Sequence, residues 1–107
     1  MSGKRGTASV AATGFAAGAG GARWTYAGAL TFANASTVFA AAAAMPLPTE
    51  GEIDLSGVDA VDSSAVAVLL ALKRRASVDG RPLTFTHVPA ALTALADVYG
   101  VEDMLGT

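Results

Sequence analysis

Ile53-Asp54-Leu55-Ser56-Gly57-Val58-Asp59-Ala60-Val61-Asp62-Ser63-Ser64-Ala65-Val66-Ala67-Val68-Leu69-Leu70 is the stretch on which the fold turns. Glu52 to Leu55 reads as a brief strand after Gly51, and Gly57 to Val61 carries the chain from it into a turn at Asp62-Ser63-Ser64. Hydrophobicity alone would allow a buried strand from Ala65 to Ala76. Its length, its alanines, the carboxylate and hydroxyls before it and Lys73-Arg74-Arg75 at its end suit a helix and its dipole instead. Leu69 and Leu70 both read as buried on that helix, and Lys73-Arg74-Arg75 as a mainly solvated helix end.

Downstream, Asp79-Gly80 makes a turn, and Pro82 to Val88 reads as a strand with Leu83, Phe85 and His87 on one face. Pro89 opens a last helix in which Leu92, Leu95, Ala96 and Tyr99 recur at helical spacing, with Gly100 placed to cap it. Tyr99 fits either the core or a partner contact. Upstream, Trp24, Tyr26, Gly28, Leu30 and Phe32 fall on one face at period two, which predicts a strand over Arg23 to Phe32. Asn34 and Ser36 are candidate N-caps for an alanine-rich helix over Thr37 to Met45, ended by Pro46. Ala8 to Ala16, with Val10 and Phe15, reads as a weak edge strand joined to the next by the glycines between Gly18 and Gly21. Residues 1–7 read as a frayed tail, leaving 8–107 as one domain. Strand, strand, helix, strand, helix, strand, helix implies an α/β fold with a mixed, partly parallel sheet of about four strands and about three helices packed on it.

The chain has 107 residues, 52% hydrophobic and 15% charged, enough for one core and well outside the disordered class. Lys4, Arg5 and Arg23 precede every acid; from Glu50 onward nine acids face only Lys73, Arg74, Arg75 and Arg81. A predominantly acidic body without a basic stripe argues against nucleic acid as the main partner. There is no cysteine, so disulfides and thiolate metal sites are excluded. The longest apolar runs, Val38 to Met45 and Ala65 to Leu72, are eight residues each, against about 20 for a bilayer span. Lys4-Arg5 followed by Ala/Gly-rich sequence mimics a signal peptide, but the glycines at 14, 18, 20 and 21 leave it without an apolar core.

The D-L-S-x-V and V-D-S-S-A…L-L strings quoted above, in this element order, resemble the STAS family, and the likeness runs from about Trp24 to Leu105. One departure is Ala65-Val66, where the family usually has glycine after the second hydroxyl. Two branches of the family matter. In the antagonist branch the D-S-S turn is phosphorylated by a kinase that is also an anti-sigma factor. In the MlaB branch a small cytoplasmic subunit binds the ATPase, MlaF, of a phospholipid-transporting ABC complex that maintains outer-membrane lipid asymmetry. Tyr26-Ala27-Gly28-Ala29-Leu30, and Leu92 to Tyr99 followed by Val101, Met104 and Leu105, resemble the second branch more. The resemblance implies a non-enzymatic docking domain without cofactor or metal, held at the inner face of the inner membrane through an MlaF-like ATPase subunit. The alternative it implies is an antagonist whose partner is an anti-sigma factor kinase.

Read from its residues alone, Asp62-Ser63-Ser64 is a helix cap at a terminus suited to hydroxyl, carboxylate or phosphate oxygens. The resemblance adds that Asp62, Ser63, Ser64 and Tyr99 contact the partner. It matches Ser63 to the hydroxyl that matters in the MlaB branch and Ser64 to the phosphate acceptor of the antagonists. Phosphorylation of either would add about −1.5 to −2 charge beside Asp62 and repel a packed partner. A catalytic triad of Asp62, Ser63 and His87 lacks a G-x-S-x-G elbow, so His87 reads as a strand residue with an ordinary hydrogen-bond partner. There is no G-x-x-x-x-G-K-[ST] loop either, so ATP chemistry belongs to a partner.

Overall fold

In the computed structural model, which describes residues 13–101, Gly14–Ala17 (β1) turns back through a 3-10 turn at Ala19–Gly21 onto Arg23–Leu30 (β2). Helix α1 (Ala35–Ala43) then leads to Glu52–Val61 (β3), α2 (Ser63–Val78) to Thr84–Thr86 (β4), and α3 (Ala90–Val98) follows. The sheet order is β1-β2-β3-β4, with β1 antiparallel to β2 and the other two pairings parallel. Both parallel crossovers step the same way across the sheet, so right-handed connections put α1 and α2 on one face. The expected element order and the mixed four-stranded, three-helix architecture are what the chain adopts. The expected tail, and residues 8–12 of the first strand, lie outside the described residues.

Period-two alternation sets the core. Trp24, Tyr26, Ile53, Leu55 and Phe85 point to the helical side and are buried with Val38, Ala42, Leu69, Leu72, Leu92 and Ala96. Phe15 joins them from β1, its ring 4.7 Å from Tyr26 edge-on and 5.5 Å from Trp24. The other sheet face carries Arg23, Thr25, Asp54 and Thr84 and is open to solvent. Its Arg23 ion pairs to Glu50 and Glu52, at 3.6 and 3.8 Å, are exposed and contribute little.

Several boundaries differ from expectation, each for a tertiary reason. β3 does not stop at Leu55: it runs on to Val61, with register shifts against β2 that absorb extra residues around Leu55–Ser56 and at Asp59. Asp54 accepts from the Ser56 N–H at 2.8 Å and supports the first irregularity. Gly57 lies so close to β2 that a Cβ there would collide with the Tyr26 carbonyl oxygen. β2 ends at Leu30, so Phe32 does not continue its inward face and is 84% exposed. α1 begins at Ala35; Asn34 holds the N-cap position, but its side chain accepts from the Thr31 N–H and donates to the Ala29 carbonyl instead of capping.

β4 is only three residues long. His87 adopts φ 54, which turns it off the buried face that Leu83 and Phe85 share, and its ring pairs with Asp54 at 3.2 Å. α2 starts two residues earlier than expected and extends to Val78, closing with paired bonds from the Gly80 and Arg81 N–H groups to Ser77 and Ala76. Gly100 and Val101 close α3 in the same way, as the cap reading anticipated. Lys73-Arg74-Arg75 is not simply a solvated end. Arg75 donates to the carbonyls of Ala42 (3.1 Å) and Met45 (2.7 Å), satisfying the C-terminus of α1 from α2. Lys73 stands 5.6 Å over the Phe85 ring, which leaves Arg74 as the exposed member.

Candidate functional site

Asp62 is the pivot of the surface at the α2 N-terminus. Its extended backbone ends β3, one carboxylate oxygen accepts from the Ser64 N–H at 2.8 Å, and the other accepts from the Phe32 N–H at 2.9 Å. The cap therefore also ties the β2–α1 loop to the start of α2. Those two amides, Phe32 first, hold the Asp62 carboxyl below the usual carboxylate range. A depressed folded-state pKa means that the ionised form supports the fold above the unfolded value of about 3.9 and that this support disappears as pH falls through the folded value. Asp62→Asn should accordingly melt below wild type at neutral pH, with the gap closing below about pH 4. Thermal melts across pH 3 to 7 measure it, and a gap as wide at pH 3 as at pH 7 contradicts this role.

Ser63 follows as the first helical residue and is exposed; Ser64 is half-buried. The helical repeat separates them onto two shallow grooves. Ser63 lines one with Val66, Ala67, Leu70, Tyr99 and Val101, between α2 and the end of α3. Ser64 lines the other with Ala35, Ser36, Phe39, Ala67, Val68 and Ala71, between α1 and α2. Ala67 belongs to both, so the grooves form one continuous, largely apolar surface. Tyr99, open between two readings in the sequence, is 56% exposed on the outer wall of the first groove. Leu70 is not fully buried like Leu69: it packs on the core and still faces this groove.

The structure thus brings Asp62, Ser63, Ser64 and Tyr99 together on one side of the molecule. It adds Phe32 and Phe39, which sequence reasoning did not single out. Phe32 was assigned to the inward face of a strand that in fact ends before it. For Phe39 a signal existed: Val38 and Ala42, at i and i+4, mark the buried stripe of α1 and place Phe39 at its border. His87 does not join the serines; it pairs with Asp54 at the start of the β4–α3 connection. Among the described residues no group of three or more His, Cys, Asp or Glu could hold a metal ion, and no helix is long and apolar enough to cross a membrane.

A search of curated proteins found no match to this chain. A family profile described as "Mlab, STAS domain" matches residues 21–106, which takes in every element from β2 to α3 and the whole Asp62-Ser63-Ser64 surface. On that match the chain belongs to the STAS domain family and is most like its MlaB-type members.

Proposed function

We propose that this chain is a non-catalytic subunit that docks on the ATPase of a phospholipid-transporting ABC complex, at the cytoplasmic face of the inner membrane, and stabilises or regulates it. The observation that carries the reading is the exposed apolar surface around the α2 N-terminus, where Tyr99 lines the groove of Ser63, Ala67 and Leu70, Phe39 lines the adjoining groove of Ser64 and Ala67, and exposed Phe32 is tied by its N–H to Asp62. Interface centres are rich in aromatic residues and poor in charge, and this surface has both properties, Asp62 being engaged by two backbone amides. The MlaB-type family match supports an ATPase partner over an anti-sigma factor kinase. So does the burial of the second hydroxyl: Ser64, matched to the phosphate acceptor of the antagonists, is half-buried between α1 and α2.

Substitutions at Ser63 separate docking from capping. Asp62, not Ser63, supplies the cap bond, so Ser63→Ala should cost little stability and leave partner binding close to wild type. Ser63→Arg and Ser63→Asp place bulk or charge in the groove and should remain folded yet lose the partner, with affinity down at least about tenfold. Co-purification with the MlaF-like ATPase subunit, with a melting curve for each variant, measures both effects. Full binding by a folded Ser63→Arg removes the docking reading. Loss of regulation in Ser64→Ala, with the Ser63 variants silent, points to the kinase-switched antagonist instead.

A further inference from the structure

The second half of α2 carries a further cleft, which shares only Leu70 with the Ser63 groove. It lies between α2 and the segment after it, has a volume of about 780 Å³, and is lined by Leu70, Lys73, Arg74, Ser77, Gly80, Arg81, Pro82 and Leu83. Among the described residues three cations and no acid line it, in a chain whose overall charge is −2. Helix-dipole complementarity accounts for Arg75 in the last turn of α2, but Lys73 and Arg74 precede that turn and Arg81 lies beyond the helix. The cations are also positioned. Arg81 is anchored by donating to the Pro48 carbonyl at 3.1 Å, and Lys73 is held over Phe85. Leu70, Pro82 and Leu83 supply apolar wall, and burial lowers the Lys73 ammonium below its ordinary pKa, as a partly dry site requires.

We propose that this cleft binds a single amphiphilic anion, a phosphate or carboxylate head carrying a short apolar chain. The head meets Arg74, Arg81 and Lys73, with the Ser77 hydroxyl alongside, and the chain lies against Leu70, Pro82 and Leu83. Its volume falls within the roughly 300–1,000 Å³ range of small-molecule sites, and the pairing of a few polar groups with an apolar wall is the usual composition of such a site. Guanidinium groups are the preferred partners of phosphate and carboxylate, which is why the anionic head carries the specificity.

Isothermal titration calorimetry of the whole chain with octyl phosphate below its micelle threshold, inorganic phosphate and octyl glucoside tests both halves of the site. Octyl phosphate should bind at least about tenfold tighter than inorganic phosphate, since burying a few methylenes supplies that factor. Octyl glucoside, with the same chain and no charge, should bind at least about tenfold more weakly than octyl phosphate. Arg74→Glu, at an exposed position, should keep the wild-type melting temperature and lose about tenfold or more in octyl phosphate affinity, whereas Ser63→Arg should leave that affinity unchanged. Equal affinity for octyl glucoside, equal affinity for inorganic phosphate, or an unaltered Arg74→Glu each overturns the proposal.

Discussion

Leu69→Asp is expected to leave the chain without a cooperative thermal transition, while Leu70→Asp, one residue along the same helix, should fold. Leu69 is 0% exposed among the residues of the single core, so an aspartate there has neither water nor a counter-charge. An unpaired buried charge costs several kcal/mol, against a total stability of about 5–15 kcal/mol for a domain. Leu70 retains a face toward the grooves, and a carboxylate there reaches solvent. Its loss should appear in partner binding, since it replaces apolar wall beside Ser63 and Tyr99 with charge. Far-UV circular dichroism with thermal melting separates the two variants. A cooperative melt from Leu69→Asp would show that α2 packs on the sheet through a different face.

Gly57→Ala should cost about 1–3 kcal/mol, and Gly57→Val more, because a Cβ at this position meets the Tyr26 carbonyl oxygen of the neighbouring strand. Backbone cannot swing aside as a flexible side chain can, so relief requires β2 and β3 to separate at the centre of the sheet. Trp24 and Tyr26, buried from β2, then lose packing against Ile53 and Leu55. With a urea m-value of about 1–3 kcal/mol/M for a small domain, Gly57→Ala should lower the unfolding midpoint by roughly 1 M. A midpoint within a few tenths of wild type would mean that the two strands do not approach this closely in solution.

Both arguments depend on distinctions that local sequence does not contain. Leu69 and Leu70 are equally apolar neighbours, and only the position of α3 and the chain after it decides which one retains a wet face. Ser56-Gly57 has the composition of a turn, and it ended the strand in a purely local reading. In the folded chain the parallel pairing to β2 continues past it through irregularities, because Gly57 permits the close approach and Asp54 satisfies the Ser56 amide.

Within the candidate site, the sequence identified the residues whose roles are local. Asp62 caps α2 through an amide two residues away, and Gly100 closes α3 through bonds spanning a few residues; both follow from residue type and position. Asp62 also binds the Phe32 amide across 30 residues, and that bond has no local signature. Arg75 looked like a dipole partner for its own helix, yet it donates to the Ala42 and Met45 carbonyls at the end of α1, some 30 residues earlier.

The sequence by itself determined the element order, the fold class and the Asp62-Ser63-Ser64 turn, since apolar periodicity and helix capping act over a few residues and are written in consecutive positions. Tertiary structure alone decided that β3 reaches Val61, that Phe32 stands at the surface tied to Asp62 and Phe39 in the groove of Ser64, and that Lys73, Arg74 and Arg81 share a cleft. Each of these depends on which atoms from distant segments arrive next to a residue, and burial, close approach and charge clustering are properties of that arrival.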